Sequence, residues 1–131
     1  MAFTKQKRIE IHSKFSGKCA YCGKDIQLKD MQVDHIIPQL SFSTDIKNKF
    51  RIPYFLTHLL PEEVNHIDNL FPACRVCNNW KRDHDLELFR RELDAQVKRL
   101  NERSANYRIA KMYGQIQETL TPIRFYFENK H

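Results

Sequence analysis

Two residues separate Cys19 from Cys22, and two separate Cys74 from Cys77. Asp34-His35 lies between the two pairs, and Asn78 follows the last cysteine directly. Thiolates at this spacing can both face one cation, and two such pairs supply the four soft ligands of a tetrahedral zinc site. A carboxylate, an imidazole and an amide are instead what a hard divalent ion and a general base require. Neighbouring side chains on a strand point to opposite faces. The pair therefore reads as a division of labour, with Asp34 on a metal and His35 on the nucleophile. Asn78, joined to the second pair through Cys77, offers an amide oxygen from a rigid position. An imidazole, whose ordinary pKa is ~6.5, can take a proton from water near neutral pH, which makes His35 the candidate base. The pattern predicts a hydrolytic centre with a hard catalytic ion, mounted on a zinc staple.

The 131 residues fit one domain with a modest core, a size at which an added staple helps. A net charge of +6 and a pI near 9.2 predict a surface that attracts polyanions, nucleic acid first. No apolar run approaches the ~20 residues of a membrane span, and the opening residues lack the apolar stretch of a signal peptide. The chain therefore reads as cytoplasmic, with no membrane partner. In a reducing compartment the paired cysteines favour metal over disulfide. A thioredoxin-like redox role would leave the second pair unexplained.

The elements that must position these residues are short. Residues 4–16 read as a basic helix with Thr4 as N-cap, Gly17 at its end, and Ile9, Ile11 and Phe15 on its apolar face. Residues 32–38 form an apolar run stopped by Pro38, and residues 68–72 are a second extended segment leading into Cys74. Residues 39–65 read as a long, partly helical insertion whose Lys47, Lys49 and Arg51 would contact a nucleic-acid backbone without reading sequence. Leu86, Phe89, Leu93, Val97 and Leu100 predict one helix over about 85–102. Ser104 would cap another, with Ile109, Tyr113, Ile116 and Leu120 on one side. After Pro122, the alternation of residues 123–127 predicts a terminal strand. His12, His58, His84 and His131 read as surface or packing residues, and His66 as a loop residue. Trp80 is expected to pack against the fold. Lys81 and Arg82 read either as phosphate contacts or as a solvated helix face.

Cys19-x-x-Cys22, Val33-Asp34-His35-Ile36-Ile37-Pro38, Asn69-Leu70, Cys74-x-x-Cys77-Asn78 and Lys81 together resemble the HNH nucleases with a ββα-metal fold. The resemblance spans about residues 4–84. It implies an α+β domain: a ββα-metal core stapled by a four-cysteine zinc site, an N-terminal helix, and C-terminal helices plus a terminal strand. The whole of 1–131 would be one domain, with its insertion at 39–65 and a C-terminal extension over about 85–131. His35 would be the general base and Asn69 the residue that braces the loop and orients it. Asp34 and Asn78 would bind the catalytic ion. Asparagine at position 78, where many members have histidine, makes this a His-Asn-Asn variant and favours magnesium or manganese. The long stretch between His35 and Asn69 departs from members with a short Gly-rich loop, and Asn65 and His66 lie within it. The implied activity is endonucleolytic hydrolysis of DNA, duplex first and RNA not excluded. A dimer would be one route to cutting both strands. The competing expectation is a zinc-stapled nucleic-acid-binding or protein-interaction module that does not cut.

Overall fold

A computed structural model describes residues 3–38 and 51–130. Phe42, Lys47, Lys49 and Phe50 of the predicted insertion, and His131, lie outside them. The chain is α+β, a set of short helices around one small antiparallel sheet. No helix among the described residues is long and apolar enough to cross a membrane.

The first helix, α1 (Lys5–Ser13), begins where the Thr4 hydroxyl accepts from the Lys7 N–H at 3.1 Å. Ile11 is its one fully buried residue, whereas Ile9 is exposed. Basic side chains tie the helix down. Arg8 donates to the carbonyls of Leu28 and Met31, and the Lys14 ammonium to those of Ile67 and Leu70, at 2.8–2.9 Å. Ile11 thus packs with Met31 and Leu70 in a small second core.

Strands β1 (Gln32–His35) and β2 (Leu70–Ala73) pair antiparallel, with Gln32 opposite Ala73 and His35 opposite Leu70. Pro72 lacks an N–H, but its carbonyl accepts from Ala20 at 2.9 Å, so the first cysteine turn docks on the edge of β2. The next helix, α2 (Arg75–Lys81), starts directly after Cys74 and packs on β1.

The C-terminal third departs from the sequence pattern in three places. The helix expected over 85–102 is two, α3 (Leu86–Asp94) and α4 (Gln96–Arg103), broken at Ala95. The side-chain amide of Gln96 donates to the Glu92 carbonyl at 2.7 Å, occupying the acceptor that the Gln96 N–H would use in a continuous helix. Leu86, Phe89 and Leu93 reach the core, while Leu100 is exposed. Ser104 does cap α5 (Ala105–Met112), but that helix ends at Gly114 rather than running to Leu120. Gly114, at φ 77°, donates to the Lys111 carbonyl, and Gln115 to that of Ala110, the paired bonds of a Schellman end. Ile116 and Leu120 therefore lie beyond the helix.

The third departure is the terminal strand, which does not form. Tyr126–Lys130 is a 3₁₀ turn. Its N–H groups find the carbonyls of Tyr21 and Ala20 instead of a strand, and Glu128 turns the chain by accepting from the Phe125 N–H. The alternation survives as burial, with Phe125 and Phe127 both in the core beside Tyr21, Phe71 and Phe89.

Gly23 (φ 78°) and Gly114 share a backbone conformation but not a neighbourhood. A Cβ on Gly23 would lie 2.7 Å from a ring carbon of Tyr126, and one on Gly114 would meet nothing within 4 Å. Gly114→Ala should cost about 1 kcal/mol from backbone strain alone. Gly23→Ala should cost about 2–4 kcal/mol because overpacking is added. Urea unfolding of the two variants checks this, and equal midpoints would mean that Tyr126 yields freely.

Candidate functional site

The four cysteine sulfurs converge. All lie within 4.8 Å of one another, and the Cys22 and Cys74 sulfurs are 3.8 Å apart. A tetrahedral thiolate site with metal–sulfur bonds of ~2.3 Å needs sulfurs about 3.8 Å apart, whereas a disulfide would hold them at ~2.05 Å. Backbone amides turn toward the cluster: Cys74 N–H to the Cys19 sulfur at 3.3 Å, and Cys77 N–H to the Cys74 sulfur at 3.4 Å. The Cys77 thiol hydrogen-bonded to Cys19, together with backbone N–H groups, pulls Cys19 down to about 4 against its burial. The donors, their spacing and their N–H support fit one thiophilic metal ion, bound by Cys19, Cys22, Cys74 and Cys77. Among the described residues no other group of three or more His, Cys, Asp or Glu side chains is so placed.

Next to the cluster, Tyr21 joins it to β1. The Tyr21 hydroxyl donates to the Asp34 carboxylate, and both groups are buried. From the other side comes Lys81, fully buried. Its ammonium lies 3.3 Å from the Asp34 carboxylate and donates to the carbonyls of His35 at 3.3 Å and Ile36 at 3.5 Å. This corrects both expectations for Lys81, which is neither a solvated helix face nor a phosphate contact. It is the clamp between α2 and the end of β1. Its neighbour Trp80, expected to pack, is 46% exposed. Burial pushes the Asp34 carboxyl above the ordinary carboxylate range, opposed by the Lys81 charge and by the Tyr21 and Lys81 hydrogen bonds. Burial, then the Asp34 charge, raises the Tyr21 hydroxyl well above its usual value, so it stays a donor.

His35 faces the other way from Asp34, as alternation requires. It is half-buried, with the Phe3 ring 5.8 Å away, and its Nε2 meets the Asn65 side-chain oxygen at 2.7 Å. Asn69 is fully buried and satisfied. Its oxygen accepts from the Ile37 N–H at 2.8 Å, and its amide donates to the carbonyls of Ile37 at 2.9 Å and Val64 at 2.8 Å. Asn69 therefore braces the chain just past His35, and the ring itself is held by Asn65. Sequence reasoning missed Tyr21 and the contact made by Asn65. An aromatic between two metal-spaced cysteines was the one signal for Tyr21.

Asn78 lies on α2, half-buried, one turn before Lys81. Asp34 and Asn78 offer the hard oxygen donors that a second divalent ion prefers. Their chemistry fits such an ion if Lys81 yields the carboxylate, since its ammonium would keep the two carbonyls. Three of the remaining histidines have local partners. His12 bonds the Ile26 carbonyl at 2.6 Å and His58 pairs with Asp68 at 2.9 Å. His66 accepts from the Asp68 N–H, and His84 Nδ1 is buried with no hydrogen-bond partner among the described residues. No protein-family profile, curated protein or solved structure matches this chain.

Two outcomes are expected from these contacts. Cys74→Ser should lower metal content below one equivalent per chain and unfold or severely weaken the domain. Structural metal contributes ~10–16 kcal/mol of apparent binding energy in small peptides. Metal analysis and thermal melting read this, and an unchanged melt would remove the staple. Lys81→Met should destabilise by about 3–5 kcal/mol because it strands a buried carboxylate. Adding Asp34→Asn to that variant should recover much of the loss in urea unfolding. No recovery would show that Lys81 acts through the carbonyls alone.

Proposed function

We propose that this chain is a metal-dependent endonuclease that hydrolyses phosphodiester bonds in DNA, on a ββα-metal core stapled by zinc at Cys19, Cys22, Cys74 and Cys77. The observation that carries the reading is the pairing of Asp34 and His35 at the end of β1. Asp34 turns into the buried face beside the helix that bears Asn78, and His35 stands half-exposed, its ring held by Asn65. That is the separation of metal-side and base-side roles which phosphodiester hydrolysis uses.

In this reading His35 takes the proton from the attacking water. Nε2 is engaged with Asn65, so Nδ1 is the ring atom left to act. Asn69 keeps the backbone after His35 from shifting, through three bonds to Ile37 and Val64. Asp34 and Asn78 would hold magnesium or manganese, which supplies polarisation of the scissile phosphate and offsets charge on the leaving oxygen. Lys81 would release Asp34 to that ion and retain the carbonyls of His35 and Ile36. The net charge of +6 supports a polyanionic substrate, and exposed Arg51 and Arg82 are available to phosphates.

One observation favours the second reading, a zinc-stapled binding module that does not cut. The Asp34 carboxylate is already neutralised by a fully buried ammonium, so the fold is complete without a second ion. A nuclease assay separates the two. Supercoiled plasmid, single-stranded DNA and RNA are incubated with the zinc-loaded protein and magnesium, manganese or chelator. The expected result is cutting that needs the added ion and falls by about 10²–10⁴-fold in His35→Ala, with unchanged melting and zinc content. No ion-dependent cutting of any substrate by the intact protein would leave the binding module as the reading.

A further inference from the structure

We propose that Asn65 is the positioning residue for His35, fixing the imidazole as its Nε2–H tautomer and leaving the Nδ1 lone pair to accept the proton. The inference rests on the nuclease reading for its function, but its geometry stands apart from it. An amide oxygen can only accept, so the 2.7 Å contact to Asn65 Oδ1 places the neutral ring's hydrogen on Nε2. A ring nitrogen whose hydrogen is pinned in this way leaves the opposite nitrogen as the base.

An exposed side chain held by one bond would be a poor orienting group, because that bond alone contributes little. For Asn65 it is the backbone on either side that is fixed. Its predecessor Val64 gives its carbonyl to the buried Asn69 amide at 2.8 Å, and its successor His66 donates its N–H to the Glu63 carbonyl at 2.8 Å. The Asn69 N–H returns to the His66 carbonyl at 2.9 Å, and the turn begins with Glu63 accepting from the Leu60 N–H at 3.0 Å. The same Asn69 side chain bonds both the N–H and the carbonyl of Ile37, two residues after His35. One buried amide therefore joins the strand end that carries the base to the turn that carries its orienting group. Phe3 lies against the imidazole at a 35° tilt. The ring thus has an apolar neighbour as well as a fixed hydrogen bond.

The test compares the native chain with Asn65→Leu, which keeps the size but loses the acceptor, and with Asn65→Asp, which keeps an acceptor oxygen. Long-range nitrogen–proton NMR of His35, on zinc-loaded protein above the imidazole pKa and without magnesium, reads the tautomer directly. The native chain and Asn65→Asp should show hydrogen on Nε2, and Asn65→Leu a mixture. In plasmid cutting, Asn65→Leu should lose kcat by about 10–100-fold with KM unchanged, as expected for a group that acts only on the base. Asn65→Asp should restore most of that loss. A native His35 carrying its hydrogen on Nδ1, or an Asn65→Leu protein with unaltered tautomer and kcat, would overturn the proposal. If the native chain does not cut at all, the nuclease reading fails and the NMR result alone decides the role of Asn65.

Discussion

The junction of four sulfurs sets the register of everything around it. Cys22 and Cys74 are 52 residues apart in the chain and 3.8 Å apart in space. Closing a loop of that length costs entropy that a small core struggles to offset alone. Each neighbouring element then attaches to the first cysteine turn. Ala20 donates to Pro72 of β2, Tyr21 reaches Asp34 of β1, and the carbonyls of Ala20 and Tyr21 receive Phe127 and Tyr126. The C-terminal residues, which could have extended a sheet, are shaped by those two carbonyls into a turn. A metal ion at the sulfurs would therefore hold the strand pair, the following helix and the chain end in one arrangement.

Polar burial near the site takes two forms with different consequences. Asn69 is neutral, fully buried and bonded through both ends of its amide, so its fixation carries no charge-desolvation penalty. Asp34 and Lys81 are charges taken out of water together, and such a pair is weak evidence for stability on its own. What the pair does supply is specificity. In the observed approach of α2 to β1 the ammonium meets a carboxylate and two carbonyls at once. The neutral brace fixes the base side of the strand end, and the charged clamp fixes the opposite side.

The legible parts of the sequence were those whose signal is local. The cysteine spacing, the Thr4 and Ser104 caps and the two strands each depend on residues within a few positions of one another. Lys81 was illegible because Arg82, Asp83 and His84 follow it, a polar context that reads as solvent-facing. Its burial is decided by carbonyls of His35 and Ile36, some 45 residues away. The break at Ala95 was hidden for a related reason, since the apolar stripe runs unbroken past it and only the folded chain brings the Gln96 side-chain amide to the Glu92 carbonyl. Gly114 was a visible stop signal outweighed by apparent periodicity in Ile116 and Leu120. Asn65 carries no pattern at all, and only the folded turn places its amide against His35.

Asp34 is where these constraints meet, and its chemistry bears on both functional readings. Burial raises the carboxyl above its ordinary range, and the ammonium and the phenol hydroxyl oppose that. A group balanced in this way is sensitive to any change in nearby positive charge. On the nuclease reading, a divalent ion in place of the ammonium would add one unit of charge beside the carboxylate and strengthen its ionisation. Lys81 could leave without being stranded because two carbonyls already accept from it. On the binding-module reading, the same three contacts are the finished state, and a second cation gains only the Asn78 oxygen and water as additional partners. The difference between the readings thus reduces to whether the second ion, with phosphate oxygens completing its shell, outcompetes one buried ammonium for a single carboxylate.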